Sequence, residues 1–155
     1  MSALYTESEL RKHQLTMLDF LLKHRRAAWW AEPGTGKTQL VKGLAAGLGI
    51  PGTVTSPTFA LLQEHNDGTL PLAHIDLYRL ESQQEIVGAG LEHYLTTPDG
   101  VTAVEWFERW LGGDWQLGQA LPESARPGVA PVLRLVIFSE EGETKRKITY
   151  EDFGH

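Results

Sequence analysis

Ala31-Glu32-Pro33-Gly34-Thr35-Gly36-Lys37-Thr38 is the stretch from which the fold of this chain is read. It fits the pattern A/G-x-x-x-x-G-K-T, a phosphate-binding loop whose spacing has a mechanism. The turn aligns successive backbone amides around phosphates, Lys37 reaches the β and γ oxygens, and the Thr38 hydroxyl is placed to ligate Mg²⁺. Gly34 and Gly36 permit torsions and a close approach that a Cβ would hinder. Ala31 stands where the pattern more often has glycine. Before the loop, the apolar residues 27–31 predict a strand. After it, Leu40, Val41, Leu44, Ala45 and Leu48 recur at i, i+1, i+4, i+5 and i+8 and predict an amphipathic helix. That helix would point the positive end of its dipole at the same phosphates. Strand, loop and helix make Glu32, Pro33, Gly34, Thr35, Gly36, Lys37, Thr38 and Gln39 the expected nucleotide contacts, with ATP and Mg²⁺ the expected ligands.

Such a loop also needs a carboxylate at the end of a neighbouring strand, to hold metal or to order the attacking water. Two are available: Asp76 after Leu72-Ala73-His74-Ile75, and Glu105 after Val101-Thr102-Ala103-Val104. Each closes an apolar run, and with Thr38 they form the expected metal-ligating set. Residue type alone does not separate the two acids' roles, and a solvated strand end is the plain alternative for each.

The rest of the chain fills in around this centre. Thr6-Glu7-Ser8-Glu9 matches a capping box and predicts a helix to about His24, with Leu10, Met17, Leu18, Leu21 and Leu22 on one face. Residues 59–64 and 72–76 read as strands of a hairpin turning at Asn66-Asp67-Gly68. Residues 82–87 and 91–95 read as short helices broken by Gly88 and Gly90, and residues 101–104 as a strand. Residues 132–138 and 145–150 read as two further strands.

At 155 residues the length suits a single domain with one core, here taken as residues 1–155. With 14 Lys and Arg against 20 Asp and Glu, a net charge of -6 disfavours a stand-alone nucleic-acid binder. The absence of cysteine excludes disulfides, thiolate metal sites and a cysteine nucleophile. No apolar run reaches the roughly 20 residues of a membrane span, and the start MSALYTESEL lacks a basic region followed by an apolar one. A cytoplasmic location is therefore expected.

Taken together, the phosphate loop, Ser56-Pro57-Thr58-Phe59, His74-Ile75-Asp76-Leu77-Tyr78-Arg79-Leu80 and Val104-Glu105-Trp106 resemble, in this order and spacing, the TsaE family, also called YjeE. The resemblance runs from about Glu7 to Leu111. It implies a bacterial P-loop ATPase required for threonylcarbamoyl modification of adenosine 37 in tRNA, bound to a TsaB–TsaD pair whose cycle ATP turnover resets. The tRNA would be met through those partners. The implied fold is an α/β three-layer P-loop NTPase, mostly parallel at the centre of its sheet with antiparallel edges. By the same resemblance Ser56 to Thr58 form a switch-like loop in which Thr58 contacts the γ-phosphate. Asp76 becomes the Walker-B-like acid and Glu105 a metal-linked acid, so Lys37, Thr58, Asp76 and Glu105 are the implied catalytic residues. Trp106 would stand at the mouth of the site, whereas composition alone reads it as core or interface. Tyr78 and Arg79 belong to the motif without an assigned role, Arg79 reading as a structural ion pair and His74 as a packed strand histidine.

The chain departs from the family pattern at Ala31 and Pro33, in the bulky Trp29-Trp30 pair, and in an N-terminal edge strand reduced to residues 3–5. Two rival functions use the same loop. A small-molecule kinase would need an Arg-rich lid, yet residues 112–131 contain only Arg126. A nucleotide-dependent binding module would keep the acids as metal holders without turnover.

Overall fold

The structure is a computed structural model that describes residues 2–6, 26–31, 36–112, 115, 119–120, 133–140 and 145–153. Seven strands form one sheet: β1 (Ser2–Thr6), β2 (Arg26–Ala31), β3 (Leu62–His65), β4 (Leu72–Asp76), β5 (Val101–Glu105), β6 (Leu133–Glu140) and β7 (Lys145–Phe153), in spatial order β1-β7-β6-β2-β5-β4-β3. Neighbours β6, β2, β5 and β4 are parallel. The flanking pairs β3–β4, β6–β7 and β1–β7 are antiparallel. The expected parallel centre with antiparallel edges is therefore what the chain forms, and β1 extends one residue beyond the expected edge strand at each end.

The sequence explains this order. Every residue of β4 and β5 is buried, as continuous apolar runs in a doubly covered parallel sheet should be. Edge strand β3 carries the exposed Glu64. Alternation along β5 sends Val101 and Ala103 to one face, where they join helix α1 (Lys37–Gly47), and Val104 to the other. There it meets α2 (Gln83–Gly88), α3 (Glu92–Thr96) and α4 (Glu108–Leu111) through Ile86, Leu95 and Trp110. Helices thus cover both faces of the sheet, and the sheet divides the apolar core into two layers.

Helix α1 buries Leu40, Val41, Leu44 and Ala45, and the buried Leu48 at its C-cap completes the predicted stripe. It stops because Gly49 adopts φ 72°, letting Gly49 N–H bond Ala46 O at 3.1 Å and Ile50 N–H bond Ala45 O at 2.9 Å. Ser82 caps α2 by accepting from Glu85 N–H.

The expected strand over 59–64 forms later, as Leu62–His65. Leu61 N–H bonds Pro57 O at 2.7 Å and Leu61 sits at φ 64°, so residues 57–61 make a turn, and the hairpin pairing with β4 begins after it. Strand β6 runs to Glu140 and β7 to Phe153, each longer than expected. Thr6 ends β1, and the helix expected up to His24 falls outside the described residues.

Candidate functional site

The parallel register aligns the ends of the central strands. Asp76 pairs with Glu105 across β4 and β5, and Trp29 with Glu105 across β2 and β5. Since β2 feeds the chain towards α1, both acids and the first turn of α1 gather at the C-terminal edge of the parallel strands. In open α/β sheets this edge is where ligands bind. A cavity of about 530 Å³ opens there. Gly36, Lys37, Thr38 and Gln39 line it from α1, Ser56 and Thr58 from the following loop, and Asp76, Tyr78, Glu105 and Trp106 from the strand ends. The structure thus brings together Gly36, Lys37, Thr38, Gln39, Thr58, Asp76 and Glu105; Glu32, Pro33, Gly34 and Thr35 lie outside the described residues.

Gly36 adopts φ 99°, a left-handed conformation that an L side chain rarely takes, and it hands the chain directly into α1. That turn leaves Lys37 only 5% exposed. Its Nζ lies 3.8 Å from the centroid of the Trp106 ring and 4.0 Å from Glu105 Oε2. Burial lowers the ammonium's pKa from the ordinary lysine value, while Glu105, Glu108 and Asp76 pull it back up. Burial likewise pushes the Glu108 carboxyl up, against the pull of its own backbone amide, Lys37 and Arg109.

Asp76 is 3% exposed and accepts three hydrogen bonds. Thr58 Oγ1 donates to its Oδ2 at 2.7 Å and Ser56 Oγ at 3.0 Å, while Tyr78 N–H donates to Oδ1 at 3.0 Å. The Ser56–Thr58 loop is therefore tied to an acid.

Glu105 holds the other half of the site. Its Oε1 receives Thr38 Oγ1 at 3.3 Å and lies 2.9 Å from His74 Nε2. His74 is fully buried. Its packing in the strand was expected from the sequence; its contact with a site acid was not. A signal existed: His74 and Asp76 are two apart on one strand and so share a face. Aligning the two acid-terminated runs then sets His74 diagonally across from Glu105.

Trp106 lines the cavity with φ 63° and also packs against the core, so both readings of it describe part of its position. Tyr78 packs against it, the ring centroids 5.2 Å apart and the planes tilted by 48°. Arg79 does not enter an ion pair among the described residues; its guanidinium lies 4.4 Å from the centroid of the Phe59 ring. Phe59, at 86% exposure, offers that face because the 57–61 turn carries it outward. Among the described residues there is no cluster of three or more His, Cys, Asp or Glu that could hold a metal ion unaided. No described helix is long and apolar enough to cross a membrane.

The chain is similar to several known proteins. A protein of Bacillus subtilis described as tRNA threonylcarbamoyladenosine biosynthesis protein TsaE is 38% identical over 122 residues, covering 79% of this chain and 66% of its own length. A Synechocystis protein of the same description is 49% identical over 79 residues, covering 49% of this chain and 50% of its own. The matched stretches thus span about half to two thirds of these relatives. The crystal structure of Bacillus subtilis YdiB superposes with a TM-score of 0.65 at 27% identity, covering 97% of this chain and 83% of that one. A family model described as threonylcarbamoyl adenosine biosynthesis protein TsaE matches residues 5–146, and with that match the chain belongs to the TsaE family.

Proposed function

We propose that this protein is a P-loop ATPase that binds ATP with Mg²⁺ in the cavity at the head of α1 and hydrolyses it slowly, supporting threonylcarbamoyl transfer to adenosine 37 of tRNA within a cytoplasmic assembly of TsaB- and TsaD-like subunits. The observation that carries the reading is the convergence of Lys37 and Thr38, on the first turn of α1, with Asp76 and Glu105, on the ends of β4 and β5. One cation, one hydroxyl and two carboxylates around one cavity are the parts phosphoryl transfer requires. The donor set suits Mg²⁺, which takes hard oxygen ligands and is held by one or two carboxylates plus substrate phosphates, not by an all-protein cage.

Each side chain then has a task. When bound, Mg²⁺ supplies neutralisation of phosphate charge. Thr38 Oγ1 and Glu105, already in contact at 3.3 Å, are the pair that would hold it. The Lys37 ammonium, kept near the head of α1 by Glu105 and the Trp106 ring, would move to the β and γ oxygens. Asp76, through Thr58 and Ser56, would govern the loop nearest the γ-phosphate. Trp106 and Tyr78 would wall the mouth and limit water.

Partner dependence follows from the cation count. Arg79 is turned to Phe59 and does not line the cavity, so Lys37 is the cation lining it among the described residues. Arginine fingers supplied in trans accelerate such reactions by large factors. The test is calorimetry with Mg²⁺ and ATP on wild type and Lys37→Ala, followed by phosphate release with and without the two partner subunits. Loss of binding in a folded Lys37→Ala and faster release with partners are expected. Unchanged affinity in that variant overturns the reading.

A further inference from the structure

His74 is the most enclosed polar side chain near the cavity and does not line it. Its Nε2 lies 2.9 Å from Glu105 Oε1, the oxygen that also receives Thr38 Oγ1. Its other ring nitrogen, Nδ1, is buried with no hydrogen-bond partner among the described residues. A carboxylate oxygen 2.9 Å from Nε2 accepts, so Nε2 carries a proton and donates it to Glu105.

We propose that His74, donating from its Nε2–H, is a positioning residue that locks the Glu105 carboxylate in the orientation facing Thr38 and Lys37. Without that donation Glu105 Oε1 keeps only the 3.3 Å contact with Thr38, a side chain that must itself turn towards metal. Partners of this kind around ligating groups fix their orientation, and losing one typically costs about 10–100-fold in metal affinity or activity. A histidine that merely filled space would be replaceable by an apolar side chain of similar size. This inference rests on the proposed role of Glu105, and the test separates the two.

The experiment compares wild type, His74→Leu and His74→Gln, with Lys37→Ala as reference. Gln carries an N–H at about the reach of His Nε2 and so restores the donation; Leu does not. In His74→Leu, kcat for phosphate release with partner subunits should fall about tenfold or more, with the Mg²⁺ concentration at half-maximal nucleotide binding raised by a similar factor. Its nucleotide affinity without Mg²⁺ should stay within about twofold of wild type, and His74→Gln should recover most of both losses. Independently of any ligand, ¹⁵N spectra of the free wild-type protein should show the His74 ring protonated at Nε2. A folded His74→Leu with wild-type kcat and Mg²⁺ dependence overturns the proposal, as does a ring found without a proton at Nε2. Should His74→Leu not fold, the ring spectrum and a failure of His74→Gln to retain Mg²⁺ dependence still decide it. Undiminished ATP affinity in Lys37→Ala would instead remove the functional reading of the site.

Discussion

Replacing Asp76 tests whether the loop of Ser56 and Thr58 is held in place by a single carboxylate. The side chain receives Thr58 Oγ1 at 2.7 Å, Ser56 Oγ at 3.0 Å and Tyr78 N–H at 3.0 Å. Hydrogen bonds to a charged group are worth about 1.5–3 kcal/mol each, which by itself would put the loss in Asp76→Ala above about 4 kcal/mol. Two effects reduce it. The carboxylate is 3% exposed, so deleting it also returns part of the cost of burying a charge. The adjoining cavity lets water reach the released hydroxyls. A net loss of about 3 kcal/mol remains, which for a domain of this size lowers Tm by about 6–12 °C. Asp76→Asn should cost only about 1 kcal/mol, because the hydroxyls of Ser56 and Thr58 can turn and accept from the new amide while Oδ1 still accepts from Tyr78. Equilibrium urea unfolding without nucleotide, followed by circular dichroism and tryptophan fluorescence, measures both variants. If Ala and Asn lie within about 0.5 kcal/mol of each other, the three bonds are not what fixes this loop.

Other expectations rest on separate features. Burial raises the Glu108 carboxyl's pKa, so its folded form holds the proton more tightly than its unfolded form. Wild-type stability should then fall as pH rises through the folded-state value, and Glu108→Gln should be more stable than wild type at pH 7, with the gain vanishing below the ordinary carboxylate range; urea unfolding at both pH values checks it. Gly100→Ala should destabilise by about 1–3 kcal/mol because its Cβ would stand 2.3 Å from Pro71 O, where β4 and β5 begin to pair; thermal unfolding measures it. Thr58→Ala and Trp106→Ala should keep basal ATP binding yet lose most of the partner stimulation, seen as steady-state phosphate release with and without the partners. Chelating divalent cations should weaken ATP binding about tenfold or more, read by calorimetry.

What the sequence made legible depended on whether a feature was local. The helix after Gly36 could be read because five apolar residues repeat at helical spacing and Gly49 provides its stop. Asp76 and Glu105 were visible because an acid that closes a fully apolar run marks where a buried strand emerges. Strand β3 was displaced because its first apolar residues, Phe59 to Leu61, satisfy a strand pattern while Thr58 and Ser56 are drawn to Asp76, about twenty positions away. No local signal encodes that pull. Arg79 escaped for a similar reason: its ring partner Phe59 sits on the opposite side of the hairpin. Trp106 was legible as a motif residue but not in its conformation, since φ 63° comes from the turn after β5 and not from a residue that favours it.

The charges of the site explain why each part takes the place it does. Two nearly buried carboxylates, Asp76 and Glu105, stand around one lysine, and a third acid, Glu108, acts on that lysine. An arrangement so rich in negative charge repels a triphosphate and stabilises a cation. On the proposed reading the nucleotide therefore enters with a metal ion that reverses the local balance. Lys37 would be freed in the same event. Its ammonium lies between Glu105 Oε2 and the Trp106 ring, contacts that help compensate its burial. On that reading a metal beside Glu105 would weaken the first of these contacts, and phosphates would compete for the ammonium in the second. Thr38, bound to the same carboxylate, would be free to turn to the same metal. Two side chains of α1 would thus turn towards the phosphates together, while the Asp76 side, occupied by three donors, would change only if something acted on the Ser56–Thr58 loop. Binding and turnover would then be separable: the Glu105 half would answer to metal and nucleotide, and the Asp76 half would be left for a partner surface to move.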